Sequence, residues 1–152
     1  MSTAAAGTTQ GFGIRPFRQA DAPGCARIFE SVQREVFADD PPERFARERF
    51  HLDTTGELIW VAHAADRIVG FASVWPPERF IHLLLVERGW RGQGVGQALI
   101  AAVGDTLGLP IDLKCRISNL SARTFYERHG WTEVERNERD PSPYILYRLA
   151  KP

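Results

Sequence analysis

The apolar run 80–86, Phe-Ile-His-Leu-Leu-Leu-Val, is interrupted only by His82 and leads into a turn carrying Gly89, Gly92, Gly94 and Gly96. An apolar helical pattern over 97–107 follows, ended by Gly108 and Pro110. A strand that is apolar at nearly every position needs cover on both faces, which places 80–86 at the centre of a sheet. Glycine lets the backbone adopt φ > 0 and lets a ligand approach closely. The free N–H groups of such a turn, together with the helix dipole, face an anion. This strand–turn–helix has the geometry of a pyrophosphate cradle, to which Arg91 could add a charge-assisted contact. Its spacing excludes two familiar cradles. No GxxxxGK[ST] is present, so a nucleoside-triphosphate P-loop is disfavoured. The glycines do not follow GxGxxG, and the loop lies deep in the chain rather than after the first strand, as a dinucleotide site would require.

The rest of the chain supplies the elements around this unit. Residues 12–18 read as a first strand, with Pro16 tolerated near a sheet edge. Asp21 is placed to cap a helix with Pro23 in its first turn. Cys25, Ile28, Phe29, Val32 and Val36 form one face of that helix. Asp39-Asp40-Pro41-Pro42 ends it and begins a second, highly charged helix over 43–52, whose Arg and Glu residues read as a solvated face with i,i+4 pairing. Strands are expected over 58–64 and 68–75, joined by a hairpin at 65–67, and over 111–116, 131–135 and 144–149. A short helix over 121–129 stops at Gly130. The order β-α-α-β-β-β-loop-α-β-α-β-β, with antiparallel pairs flanking one βαβ unit, predicts an α/β mixed sheet with helices on it.

At 152 residues the chain has the size of one domain. Residues 1–10 are small and polar and read as a flexible tail, and 11–152 as a single domain. The 19 basic side chains balance 19 acidic ones, so nothing in the net charge favours a nucleic-acid partner. No apolar run approaches bilayer-spanning length and no signal peptide is evident, so neither a membrane nor export is expected. The two cysteines, Cys25 and Cys115, lack metal-ligand spacing, which points away from zinc and fits a reducing cytoplasm.

Two motifs together carry a family resemblance. Arg91-x-x-Gly94-x-Gly96 after the central strand resembles the acyl-CoA-binding signature of the GCN5-related N-acetyltransferase superfamily. Asn119, followed by Tyr126 and then Gly130-Trp131, is similar to the later motif of the same family. The resemblance spans residues 12–149. It implies a twisted mixed sheet of about 6–7 strands flanked by about 4 helices and splayed at the acyl-CoA site. It implies that acetyl-CoA is the co-substrate; on the cysteine spacing no metal is expected. The pantetheine arm would run along Leu84, Leu85 and Val86, and the pyrophosphate would meet the N–H groups of Arg91, Gly92, Gln93, Gly94, Val95, Gly96 and Gln97. A backbone N–H near Leu84–Leu85 would hold the oxyanion. Asn119 would bond the pantetheine arm, and Arg123 would meet a cofactor phosphate.

On the same resemblance Tyr126 would be the general acid that protonates the leaving thiolate. His82 is the leading candidate for the base, since alternation along a strand would put it on one face with Leu84 and Val86. Glu78, or a water, is the alternative. A nucleophilic Cys115 would make an acyl-enzyme, but a lone cysteine alternating with Ile111 and Leu113 is more simply a small core residue. The implied activity is direct acetyl transfer to a primary amine of a small molecule or peptide through a ternary complex, and the family admits homodimers. The competing function is a non-catalytic acyl-CoA-binding or sensing domain on the same fold. Tyr126 discriminates, because a sensor needs no acid beside sulfur.

Overall fold

A computed structural model describes residues 11–151, so the expected tail at 1–10 lies outside the described residues. The chain runs through β1 (Gly13–Pro16), α1 (Ala22–Val36), α2 (Phe50–Asp53), β2 (Leu58–Ala64), β3 (Arg67–Trp75), β4 (Phe80–Val86), α3 (Val95–Leu107), β5 (Ile111–Arg116), α4 (Leu120–Arg128), β6 (Thr132–Asn137) and β7 (Tyr144–Leu149). The seven strands form one sheet in the order β1-β2-β3-β4-β5-β7-β6. Among the described residues only β4 and β5 pair in parallel, and every other neighbouring pair is antiparallel. This is the mixed sheet with helices that the element order predicts.

Two apolar layers hold the helices to the sheet. On one face Cys25, Ile28, Phe29 and Val32 of α1, with Phe50 of α2, meet Val61, Phe71 and Leu83. On the other, Val95, Leu99, Ile100 and Val103 of α3 and Tyr126 of α4 meet Val69, Ala72, Val74, Leu113 and Ile145. Along α1 the predicted apolar face is buried except at Val36, which is exposed in the last turn. Gly70 gives β3 the room it needs under α3: a Cβ there would stand 2.9 Å from the Leu85 carbonyl oxygen and 3.4 Å from the Val95 side chain.

The structure departs from the sequence reading in three places. The segment expected as one helix over 43–52 is instead two turns of 3₁₀ helix, Pro42–Phe45 and Arg47–Arg49, followed by the single turn of α2. Ala46 breaks it, with extended backbone at φ −59°, ψ 138°. Its arginines reach outward to other elements as well as along the segment: Arg47 pairs with Glu30 of α1 at 2.8 Å and Arg44 with Asp40 at 2.9 Å. Asp21 does not cap α1 with its side chain. Its carboxylate accepts from the Arg15 guanidinium at 2.7 and 2.9 Å and from the Arg18 N–H at 2.7 Å. This ties β1 to the start of the helix. Third, β4 is bulged. Ser73 pairs with Leu83 and Val74 with Ile81, so His82 is an extra residue between two ladder positions.

The Arg15 guanidinium is the main force holding the Asp21 carboxyl below the usual carboxylate range. Stabilisation from a depressed carboxyl is present above the ordinary Asp range and is lost as pH falls through the lowered value. Asp21→Asn should therefore cost about 1–3 kcal/mol in urea unfolding at pH 7. The gap between wild type and variant should narrow as the solution is acidified, and a gap independent of pH would contradict the pairing.

Candidate active site

The parallel ladder between β4 and β5 contains two pairs, Phe80↔Asp112 and Ile81↔Leu113, and the strands then separate. Beyond the split a cavity of about 1490 Å³ opens between them. Leu83 to Val86 of β4 and Leu113 to Arg116 of β5 form its walls. One end is lined by Gly92, Gly94, Val95, Gly96 and Gln97 at the start of α3, with Asn119, Ala122, Phe125 and Tyr126 of α4. The other end is lined by Val32, Val36 and Phe37 and by Phe45, Arg49 and Asp53 of the irregular segment.

The glycine turn has the backbone its sequence requires. Gly92 (φ 77°) and Gly94 (φ 88°) both lie in the left-handed region, where only glycine is unstrained. The first i→i−4 bond of the helix is made by the Ala98 N–H to the Gly94 carbonyl at 3.0 Å. The Arg91 N–H, expected in the cradle, instead donates to the Arg88 carbonyl at 3.3 Å; among the described residues, the N–H groups from Gly92 to Gln97 have no backbone acceptor. They form a consecutive row of donors at the positive end of a 13-residue helix. Space around Gly92 is open, with nothing within 4 Å of an added Cβ.

The side chains of this loop serve the protein itself. Val95 is packed in the core, and Gln93 Nε2 donates to the Gly89 carbonyl at 3.1 Å, away from the cavity wall. Arg91 lines the cavity, but its guanidinium is committed: Nε donates to the Val86 carbonyl at 3.0 Å, and both terminal nitrogens donate to the Glu35 carboxylate at 3.0 Å. That pairing is the leading reason the Glu35 carboxyl lies below its usual range. What the loop could offer an anion is therefore its backbone, while Arg91 braces the end of β4 against α1.

On α4, Asn119 Oδ1 accepts from the Ala122 N–H at 3.2 Å and caps the helix, so what it can offer a ligand is its amide NH₂. Arg123 does not line the cavity, and its guanidinium donates inward to the Ile117 carbonyl at 2.9 Å. Tyr126 packs against Trp131 and Tyr147, with ring centroids at 5.5 and 5.7 Å. Among the described residues its hydroxyl has no hydrogen-bond partner. Among the described residues the sealed polar side-chain atoms without partners are Arg123 Nε and Trp131 Nε1; the Tyr126 hydroxyl is not one of them, and Tyr126 lines the cavity. Burial raises the Tyr126 phenol above its ordinary value, and burial likewise pushes the Cys115 thiol beside it up to about 11.

His82 occupies a place that simple alternation does not predict. With the bulge, Ile81 joins Leu84 and Val86 against the α3 layer, while Leu83 and Leu85 face α1. His82 does not share a face with Leu84 and Val86, nor is it buried: its side chain is 39% exposed and lines the cavity. Its Nδ1 lies 3.0 and 3.2 Å from the two oxygens of Glu57, and Glu57 accepts in turn from the buried Ser73 hydroxyl. Glu78, the alternative base, lies in a short 3₁₀ turn outside the cavity lining. Sequence reasoning missed Glu57 and Ser73. Glu57 is 25 residues from His82 in the chain, and a lone carboxylate before a strand carries no signal of its partner.

Comparison with known proteins agrees with this geometry. A profile described as the acetyltransferase (GNAT) domain matches residues 20–142. The GCN5-related N-acetyltransferase structure from Rhodopseudomonas palustris is similar at 25% identity and a TM-score of 0.75, over 91% of this chain and 95% of that one. The PaiA N-acetyltransferase of Thermoplasma acidophilum, solved in complex with coenzyme A, shares the fold at 14% identity and a TM-score of 0.73, over 92% and 99% of the two chains. A Bacillus anthracis str. Ames structure in complex with acetyl coenzyme A has a TM-score of 0.68 at 16% identity, over 92% and 99% of the two chains. An uncharacterized Mycobacterium leprae (strain TN) protein is 28% identical over 122 residues, 76% of this chain, which spans about a third (33%) of that relative's length. By profile, strand order, splayed central strands and glycine turn alike, the chain belongs to the GCN5-related N-acetyltransferase (GNAT) family.

Proposed function

We propose that this protein transfers an acetyl group directly from acetyl-CoA to a primary amine of a small molecule or peptide, within a ternary complex. The observation that carries the reading is the row of unpaired N–H groups from Gly92 to Gln97 at the mouth of the β4–β5 split. The residues present fit acetyl-CoA: a backbone cradle for a pyrophosphate, a gap between parallel strands for an extended amide-bearing arm, and the Asn119 amide beside it. Acetyl-CoA supplies an activated thioester. A backbone N–H in the Leu84–Leu85 region, freed where the ladder ends, offers a donor to the acyl oxygen as negative charge develops there.

Tyr126 holds its proton on Oη across the neutral range and can deliver it to a departing thiolate. Its raised pKa does not disqualify it. A thiolate in the same buried pocket is penalised by the same desolvation that pushes Cys115 up to about 11, which narrows the gap between acid and base. The acceptor must lose a proton before attack, since at an amine pKa near 10 only about one molecule in 10³ is neutral at pH 7. His82, which lines the cavity, is the group proposed to take that proton, directly or through water. Cys115 supports no covalent step: a thiol raised to about 11 is ionised to only about 1 part in 10⁴ at pH 7.

Calorimetry with acetyl-CoA should give micromolar binding that weakens by at least about 100-fold in Gly94→Glu, which puts bulk and negative charge into the cradle. A folded wild type that binds no acyl-CoA overturns the reading. In a thiol-release assay over a panel of amines, Tyr126→Phe should lower kcat about 10²-fold while acetyl-CoA affinity holds. Cys115→Ala should stay within about threefold of wild type, with intersecting initial-rate patterns and no acetylated enzyme by intact mass. Parallel patterns with an acetyl adduct on Cys115 would establish the covalent route instead.

A further inference from the structure

We infer that Glu57, set in place by Ser73, is a positioning residue for His82: it fixes the imidazole as the Nδ1–H tautomer and turns the lone pair of Nε2 toward the cavity. The inference rests on the proposed role of His82 as the base. An ionised carboxylate can only accept hydrogen bonds. With Glu57 Oε2 at 3.0 Å and Oε1 at 3.2 Å, Nδ1 must therefore carry the proton. Nε2 makes no hydrogen bond among the described residues, and the ring lines the cavity. Direct proton removal needs that arrangement, with a lone pair facing the acceptor and a proton on the far side held by a fixed acceptor.

Glu57 is built into its place. Its side chain is 9% exposed, and its Oε1 accepts from the hydroxyl of the fully buried Ser73. Its backbone N–H donates to the Thr54 carbonyl at 3.0 Å, and the Thr54 hydroxyl bonds the Phe50 carbonyl at 2.8 Å. Gly56 makes the turn possible at φ 80°, where a Cβ would press on the Trp75 ring at 3.2 Å. The third component is the β4 bulge, which places His82 opposite this turn. A carboxylate needed only to satisfy Ser73 would require neither the bulge nor an exposed imidazole.

Glu57→Gln distinguishes positioning from bulk structure, because it preserves shape. Ser73 donates to Oε1, so the introduced amide keeps its oxygen there and turns its NH₂ toward Nδ1. Nδ1 must then accept, and the proton moves to Nε2, where it blocks the base. The same carboxylate-to-amide change beside a catalytic imidazole is costly in serine proteases for this reason. The measurement pairs ¹⁵N NMR of His82 in the free protein with steady-state kinetics of wild type, Glu57→Gln and Glu57→Asp. Expected are an Nδ1–H tautomer in wild type and Nε2–H in Glu57→Gln. With them should come a kcat loss of about 10²-fold, little change in KM for acetyl-CoA, and partial recovery in Glu57→Asp. Wild-type His82 protonated on Nε2, or a folded Glu57→Gln with unchanged tautomer or kcat, overturns the inference. A tautomer that switches as expected in a protein that acetylates no amine supports the positioning and overturns the functional reading.

Discussion

The parting of β4 from β5 after two paired positions is the constraint on which the rest of the site depends. Strand backbone normally finds its partners in the next strand, and groups left without them in a buried place carry a free-energy cost. Here the cost falls inside a single wedge, bounded by α1 on one side and by α3 and α4 on the other. The sheet around it is well secured. β5 pairs with β7 along six consecutive positions, Ile111↔Leu149 through Arg116↔Tyr144, and β3 pairs with β4 through the bulge. The wedge is thus flanked by paired strands on both sides, and it presents backbone donors and acceptors to whatever enters.

The glycine turn extends the same arrangement. Its N–H groups from Gly92 to Gln97 have no backbone acceptor among the described residues, and the dipole of α3 adds to their field. The Arg91 guanidinium is held by Glu35 and the Val86 carbonyl. That contact clamps α1 to the end of β4 and so connects the two ends of the cavity. The acidic and basic groups follow one pattern. Those with structural partners, such as Glu35 with Arg91 and Asp40 with Arg116, are drawn into ion pairs across elements. The Tyr126 hydroxyl and His82 Nε2 have no hydrogen-bond partner among the described residues, and both side chains line the cavity.

Much of this was legible in the sequence, for reasons that particular residues make clear. β2, β4, β5 and β7 begin and end where the apolar patterns do, because each is bordered by turn residues and carries a core face that periodicity reports. The glycine turn was legible because φ > 0 is written into residue type. The charged segment 43–52 misled because helix pairing at i,i+4 and pairing to neighbouring elements look alike in one dimension, and Arg47 reaches Glu30 instead. The capping role expected for Asp21 gave way to a stronger acceptor role toward Arg15. His82 was found, but its face was not. A bulge arises from pairing between two strands, and nothing within β4 announces it. Glu57 escaped entirely, since its meaning lies in a partner brought to it by the hairpin and the sheet. Arg123, placed by its motif on the phosphate side, is turned inward to the Ile117 carbonyl.

The proposed function requires the donors from Gly92 to Gln97 to be an anion cradle. The most direct test is amide ¹H–¹⁵N NMR of the free protein titrated in parallel with coenzyme A and with pantetheine, which lacks the pyrophosphate. Coenzyme A should move the amides of Gly92, Gly94, Gly96 and Gln97 strongly, while pantetheine should shift residues of the β4–β5 wedge and leave those amides in place. Binding of coenzyme A with the loop amides unmoved, or equal loop shifts from pantetheine, would contradict it.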